Sequence, residues 1–219
     1  PAILQSEFIQ HFDNKKEHLT TGKNFLSIQV AEFLMKKILS KQKKELEENP
    51  DGKLFIECVE GKFSKEIKVE IEQQLKSVRF TGFIDRIDDY LETTRILDYK
   101  SGKCDEDKVK ITGVTKGKTE VESLKKTLEK KNFVFQLLIY NMLYKEAFPD
   151  QPYPKQTGIL SMVNIDDSPF YLTNKLTNED TDKLMDIFEE TIHSIIQDIY
   201  NKDLPFEHNP ESKYCKYCN

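Results

Sequence analysis

The chain has 219 residues, 37% hydrophobic and 32% charged, a balance that suits one soluble globular domain with a sizeable core. The formal net charge of −5 excludes a uniformly basic nucleic-acid binder but not a local basic patch. No apolar run approaches the roughly 20 residues of a bilayer span, and the N-terminal PAILQSEFIQ lacks the features of a signal peptide, so a cytoplasmic protein without membrane contact is expected.

The first strong element is NFLSIQVAEFLMKKILSKQKKELEE (24–48), a helix with apolar residues at Phe25, Ile28, Val30, Phe33, Leu34, Ile38 and Leu39, closed by NPDG. Four strand-like runs follow: KLFIECVEG, KEIKVEIEQQL, SVRFTGFIDRID and TTRILDYK, with DDYLET as the link between the last two. Residues 101–131 have few large apolar side chains; Lys100–Lys131 holds ten Lys against six acids and reads as a solvated, Lys-rich insertion. NFVFQLLIYNMLYKEAF (132–148) is a buried helix, TGILSMVNI a fifth strand, and 178–201 an amphipathic helix. Helix, four strands, helix, strand, helix predicts an α/β fold, a single domain built on one mixed sheet with helices packed on it.

The segment GFIDRIDDYLETTRILDYKSG concentrates carboxylates on two apolar strands. Asp98 and Lys100 share a strand face, and antiparallel pairing can bring Asp85 within reach of Asp98. Converging carboxylates repel unless a cation neutralises them, and Mg2+ is a natural partner for two such groups. A lysine beside them can orient a water and support charge on a phosphate. Two acids and a lysine therefore fit metal-assisted phosphodiester hydrolysis. A wet face of surface ion pairs would give the same alternation, but the apolar neighbours argue against it. Gly82 leaves room for close backbone approach beside the acid.

G-F-I-D-R-I-D, thirteen residues from Asp85 to Asp98, and D-Y-K-S-G together resemble the RecB-type branch of the PD-(D/E)XK nuclease superfamily. The downstream Q-L-L-I-Y, Gln136 to Tyr140, matches that branch's Q-x-x-x-Y motif. The resemblance implies a restriction-endonuclease-like central mixed β-sheet flanked by α-helices. It implies Asp85 and Asp98 as ligands of Mg2+ or Mn2+, with the carbonyl of Tyr99 as a third, and Lys100 as the residue that activates water. Gln136 and Tyr140 would steady the active site and the DNA strand near it. Arg86 and Asp88 would hold the local structure by ion pairing.

Members of this branch often carry a His on the first helix. None is present on it here; His18 precedes it, and Glu32 is a candidate substitute. Four cysteines do not make a secreted disulfide framework. Cys58 and Cys104 stand alone, whereas Cys215 and Cys218 form a CxxC. AddB-like relatives bind a 4Fe–4S cluster through a C-terminal C-x2-C-x5-C and one cysteine upstream; this sequence lacks the third C-terminal cysteine, so no such cluster is expected in it, and a zinc knuckle finished elsewhere or two ordinary cysteines are the other readings of the CxxC; His208 is a capping or surface residue. The start without Met and the terminal CxxC point to a domain excised from a larger protein. The expected function is a Mg2+- or Mn2+-dependent DNA nuclease domain, exonuclease-type, in recombination and repair. Its partners would be DNA ends or single strands and a helicase in cis or trans. The alternative is an inactive DNA-binding or scaffolding module that keeps the nuclease fold.

Overall fold

The computed structural model describes residues 2–11, 22–50 and 52–205. In chain order the elements are α1 (Ala2–His11), α2 (Gly22–Glu48), β1 (Leu54–Ile71), β2 (Gln74–Tyr90), β3 (Thr93–Lys100), β4 (Lys110–Ile111), α3 (Glu120–Lys130), α4 (Asn132–Ala147), β5 (Gln156–Ser161), β6 (Phe170–Tyr171), β7 (Thr173–Asn174) and α5 (Thr181–Tyr200). The main sheet has the order β1-β2-β3-β5-β6, with β3 and β5 parallel and the other pairs antiparallel. β4 and β7 form a separate two-stranded parallel pair. The mixed sheet with flanking helices matches the architecture expected from the sequence.

The first four strand-like runs are three strands. KLFIECVEG and KEIKVEI join into the 18-residue β1; Gly61 looked like a break but lies inside the strand. β1 and β2 are joined through Glu72 and Gln73, and β2 and β3 through Leu91 and Glu92. All four linking residues have φ between 50° and 61°. Positive φ at both central positions is the twist-matched two-residue hairpin, usually built from Asn-Gly. These turns use neither Asn nor Gly, so the sequence concealed them, and DDYLET shrank from a six-residue link to a two-residue one.

Along the outer part of this arm the strands alternate cleanly. Ile67 and Val69 of β1 and Val78 and Phe80 of β2 pack into the core shared with α4 and α5, while Ser77, Arg79, Thr81 and Phe83 face solvent. The alternation then slips. Ile84 and Ile87 differ in phase, yet both sit fully buried in the cluster that holds Leu137 and Tyr140 of α4. The slip falls between Ile84 and Ile87; the β1–β2 register shifts between Ile56 and Cys58, opposite Asp88 and Ile87, and Glu60 beside Gly61 has φ 52°. Gly61 permits the bend: a Cβ there would stand 2.4 Å from Cys58 Sγ and 2.6 Å from the Phe63 ring. Gly61→Ala is therefore expected to destabilise the domain by about 1–3 kcal/mol, as overpacking does, measurable by urea denaturation; an unchanged midpoint would show that the bend tolerates a side chain.

Residues 101–131 fold into the core rather than forming a solvated insertion. Cys104, Val109, Ile111 and Leu124 are each at most 1% exposed. Helix α3 begins with a capping box in which Thr119 and Glu122 satisfy each other's backbone N–H groups. Lys125 pairs with Asp198 of α5, while Lys116, Lys118 and Lys126 stay exposed. α4 is buried nearly all round, as its composition predicts, and α5 buries Leu184, Ile187, Phe188, Ile192 and Ile196. α2 departs from expectation: only Ile28 and Ile38 are buried, and Phe33 and Leu39 are each 58% exposed.

Candidate active site

The β2–β3 ladder runs from Tyr90–Thr93 to Arg86–Leu97 and stops there. Beyond that pair, the backbone N–H of Tyr99 donates instead to the carboxylate of Asp85, at 2.7 Å from Oδ2. Asp85 thus occupies the place where the next rung would be, and the strands part around it. β3 stays rigid because its other edge pairs with β5 from Arg95–Gln156 to Lys100–Ser161. The register that pairs Arg86 with Leu97 sets Asp85 level with Asp98.

Asp98 is 1% exposed. Its Oδ1 accepts from Gln136 Nε2 at 2.9 Å and from the Tyr140 hydroxyl at 3.0 Å, and Gln136 Nε2 also lies 2.7 Å from that hydroxyl. A carboxylate only accepts, so the amide nitrogen of Gln136 must face it. The i, i+4 spacing on α4 puts both donors on one helical face. Lys100 Nζ lies 2.8 Å from Asp98 Oδ2, so the ammonium group is the close neighbour of this buried oxygen. Burial pushes the Asp98 carboxyl above the usual range; Lys100 and Tyr140 oppose the rise and the charge of Asp85 adds to it. Burial and the neighbouring Asp98 raise the Tyr140 phenol far above its ordinary value, so it remains a donor.

This donor set suits a hard divalent cation. It offers two level carboxylates, one of them buried and reluctant to carry charge. Among the described residues no third His, Cys, Asp or Glu joins them. A Mg2+-like ion needs only one or two carboxylates, with water and other oxygens completing its shell. The side chain of Tyr99 points away: its hydroxyl accepts from Arg86 Nη1 at 3.2 Å, and its ring packs against the cluster of Ile38, Leu160 and Ile165.

A family model matches residues 6–219 and describes the PD-(D/E)XK nuclease superfamily. The chain belongs to the PD-(D/E)XK nuclease superfamily. Membership implies a nuclease domain that hydrolyses phosphodiester bonds, and the central mixed sheet with its helices is the restriction-endonuclease-like arrangement of that superfamily. No curated protein and no solved structure gave a match.

Within that superfamily frame, the structure brings Asp85, Asp98, Lys100, Gln136 and Tyr140 to one place. Gln136 and Tyr140 direct their polar atoms at Asp98 and at each other. Glu32 does not join: its carboxylate accepts from Gln5 of α1 at 2.9 Å. Gly82 makes room for the protein itself, since a Cβ there would meet Leu143 of α4 at 3.0 Å. Asp88 is an ion-pair residue, fully buried between Arg86 and Arg95. Cys58 and Cys104 are free thiols, the first half-buried and the second buried. His18, His208, Cys215 and Cys218 lie outside the described residues. Sequence reasoning missed Ser161 and Asn164. Ser161 donates to the Gly102 carbonyl at 2.9 Å, and Asn164 donates to the Cys104 carbonyl at 2.8 Å. With Met162 N donating to the Lys100 carbonyl at 2.9 Å, they pin the chain immediately after the lysine. Their only sequence signal is that Ser161 ends the strand next to β3 and Asn164 follows it three residues later.

Proposed function

We propose that this domain is a Mg2+- or Mn2+-dependent deoxyribonuclease of the RecB-type, AddB-like branch, acting on DNA ends or single strands as an exonuclease. It would work in cytoplasmic DNA recombination and repair beside a helicase domain or subunit. The branch reading rests on the motif order D-R-I-D, D-Y-K and Q-x-x-x-Y. The nuclease reading is carried by one observation: Asp85 and Asp98 stand level, with Lys100 Nζ 2.8 Å from the buried carboxylate of Asp98.

In this reading Asp85 and Asp98, with the carbonyl of Tyr99, hold the ion. Bound there, it would make a coordinated water easier to deprotonate and stabilise charge on phosphate. Lys100 orients the attacking water and balances negative charge as it develops on the phosphoryl oxygens. Gln136 and Tyr140 keep Asp98 in one orientation, as outer partners of a ligand do. The lysines of residues 100–131 add salt-sensitive attraction for the backbone. A purely scaffolding role would keep the Asp98 carboxyl buried beside the charge of Asp85 with no cation between them; that cost favours the metal reading.

Asp85→Asn tests it. Calorimetric Mn2+ binding and Mg2+-dependent degradation of labelled DNA should each fall by at least the 10–100-fold seen when even outer partners of a metal ligand are lost. Cleavage that survives both EDTA and this substitution would overturn the assignment.

A further inference from the structure

We propose that Ser161 and Asn164 are positioning residues for cleavage, acting through Lys100 by holding the chain that follows it in an extended course. This rests on the nuclease reading above and adds two residues that the motifs do not include.

Lys100 stands at the least supported point of β3. β2 pairs with β3 only as far as Leu97. Beyond that residue the strand has β5 on one edge, and on the other the single bond from the Tyr99 N–H to the Asp85 carboxylate. Lys100–Ser161 is the last pair on the β5 edge, and residues 101–105 belong to no helix or strand. The ends of an element open most readily, because least holds them. Each opening at this end would draw the ammonium group away from Asp98 Oδ2, now 2.8 Å off.

Side chains at the end of β5 take over where the ladder stops. The carbonyls of Lys100, Gly102 and Cys104 accept in turn from the Met162 N–H at 2.9 Å, the Ser161 hydroxyl at 2.9 Å and the Asn164 amide at 2.8 Å. These carbonyls are two residues apart, like the groups along one edge of an extended chain. The Asn164 amide also accepts from the Cys104 N–H at 3.4 Å, so it engages both backbone groups of that residue as a neighbouring strand would. The anchors are themselves fixed. Ser161 is fully buried, its hydroxyl lies against Asn164 Oδ1, and its carbonyl accepts from Ser168 at 3.4 Å. Cys104, at the far end of the pinned stretch, is fully buried in the cluster that holds Tyr140. A lysine has a flexible four-carbon stem, so its backbone is the part a fold can hold. A displacement of about 1 Å can cost on the order of 10²-fold in rate.

The test pairs kinetics with hydrogen exchange. Asn164→Ala should lower turnover of labelled DNA in Mg2+ about 10–100-fold, the usual cost of losing an outer partner, while KM and calorimetric Mn2+ binding stay at wild-type values. Ser161→Ala should act the same way. In the Lys100→Ala background Asn164→Ala should cost nothing further, because residues acting through one group do not add. In EDTA, the amides of Cys104 and Met162 should exchange faster in Asn164→Ala while those of the β1–β2 arm keep their protection, which separates local loosening from loss of the fold. Wild-type turnover in Asn164→Ala, an undiminished loss in the Lys100→Ala background, or unchanged exchange at Cys104 would each overturn the proposal. If that happens while Asp85→Asn still removes cleavage, the nuclease reading stands alone. If the wild type neither binds Mn2+ nor cuts DNA, both fall together.

Discussion

Asp98→Asn is expected to remove metal-dependent cleavage and, without metal, to raise the melting temperature at neutral pH. Asparagine keeps an oxygen for the donors of Gln136 and Tyr140, and its amide nitrogen replaces the oxygen that faces Lys100. Lys100, whose side chain is 31% exposed, has room to turn toward solvent. The sign follows from the raised carboxyl. Because the folded group titrates above the unfolded one, its favourable contribution is complete below the unfolded value of about 3.9 and is lost as pH rises through the folded value. At pH 7 the wild type therefore holds a carboxylate whose charge costs stability, and the variant does not. Calorimetric scans in EDTA should show the gap between the two opening from about pH 4 upward. Saturating Mn2+ should close it, since an ion at 100 times its Kd adds about 2.7 kcal/mol to the protein that binds it and nothing to the one that does not. Lys100→Ala separates the roles. Losing a positive charge next to the acids should leave Mn2+ binding intact or tighter while turnover drops about 10²–10³-fold, the usual cost of removing one group that stabilises developing charge. An Asp98→Asn protein clearly less stable than wild type at pH 7 in EDTA would show that the carboxylate is a net support of the fold, contrary to its burial.

The site was legible because its determinants are local. Asp98 and Lys100 are two apart on a strand, and Gln136 and Tyr140 four apart on a helix, so their shared faces follow from backbone period alone. Their meeting at Asp98 needed the fold, which sets α4 over the point where β2 and β3 part. Other features were hidden for physical reasons. Non-glycine hairpin turns carry no composition signal, so Glu72–Gln73 was absorbed into a strand-like run and the Leu91–Glu92 turn was read as the longer link DDYLET. The lysines around α3 masked a helix whose start was written in Thr119 and Glu122. Gly61 was mistaken for a boundary because a bend and a break use the same residue. On α2 the apolar stripe predicted a helix correctly but overstated its burial, since Phe33 and Leu39 meet little of the described chain. Pattern reports which side chains share a face; it does not report what covers that face.

Asp88→Ala should be the most damaging single change to stability, although Asp88 holds no metal in this reading. The residue is fully buried and sits between two guanidinium groups: Arg95 Nε at 2.6 Å from Oδ1, and Arg86 Nη2 at 2.6 Å from Oδ2. Arg95 Nη2 adds a second bond to Oδ2 at 3.1 Å, which makes that pair a bidentate fork. The contacts spread outward from there. The Arg95 guanidinium stacks on Tyr90 at 4.7 Å, and the Tyr90 hydroxyl donates to the Glu45 carbonyl of α2 at 2.8 Å. Arg86 donates to the Tyr99 hydroxyl next to the candidate catalytic lysine. One carboxylate thus ties β2, β3 and α2 together behind the site. Removing it strands two buried cations, which typically costs about 3–5 kcal/mol, a large share of the roughly 5–15 kcal/mol that holds a domain folded. At this chain length each kcal/mol moves the melting point by about 2–4 °C, so a fall of roughly 6–20 °C is expected. Asp88→Asn should fall less, because the amide still accepts through its oxygen. Replacing Arg86, Asp88 and Arg95 together with apolar residues of similar volume should recover much of the loss, since no charge is then left unpaired. A melting point within 2 °C of wild type for Asp88→Ala would remove this residue from the frame of the site. The contrast with Asp98 is the point of the pair: Asp88 is a buried carboxylate held between two guanidinium groups, whereas Asp98 has one ammonium group and a second carboxylate, Asp85, beside it.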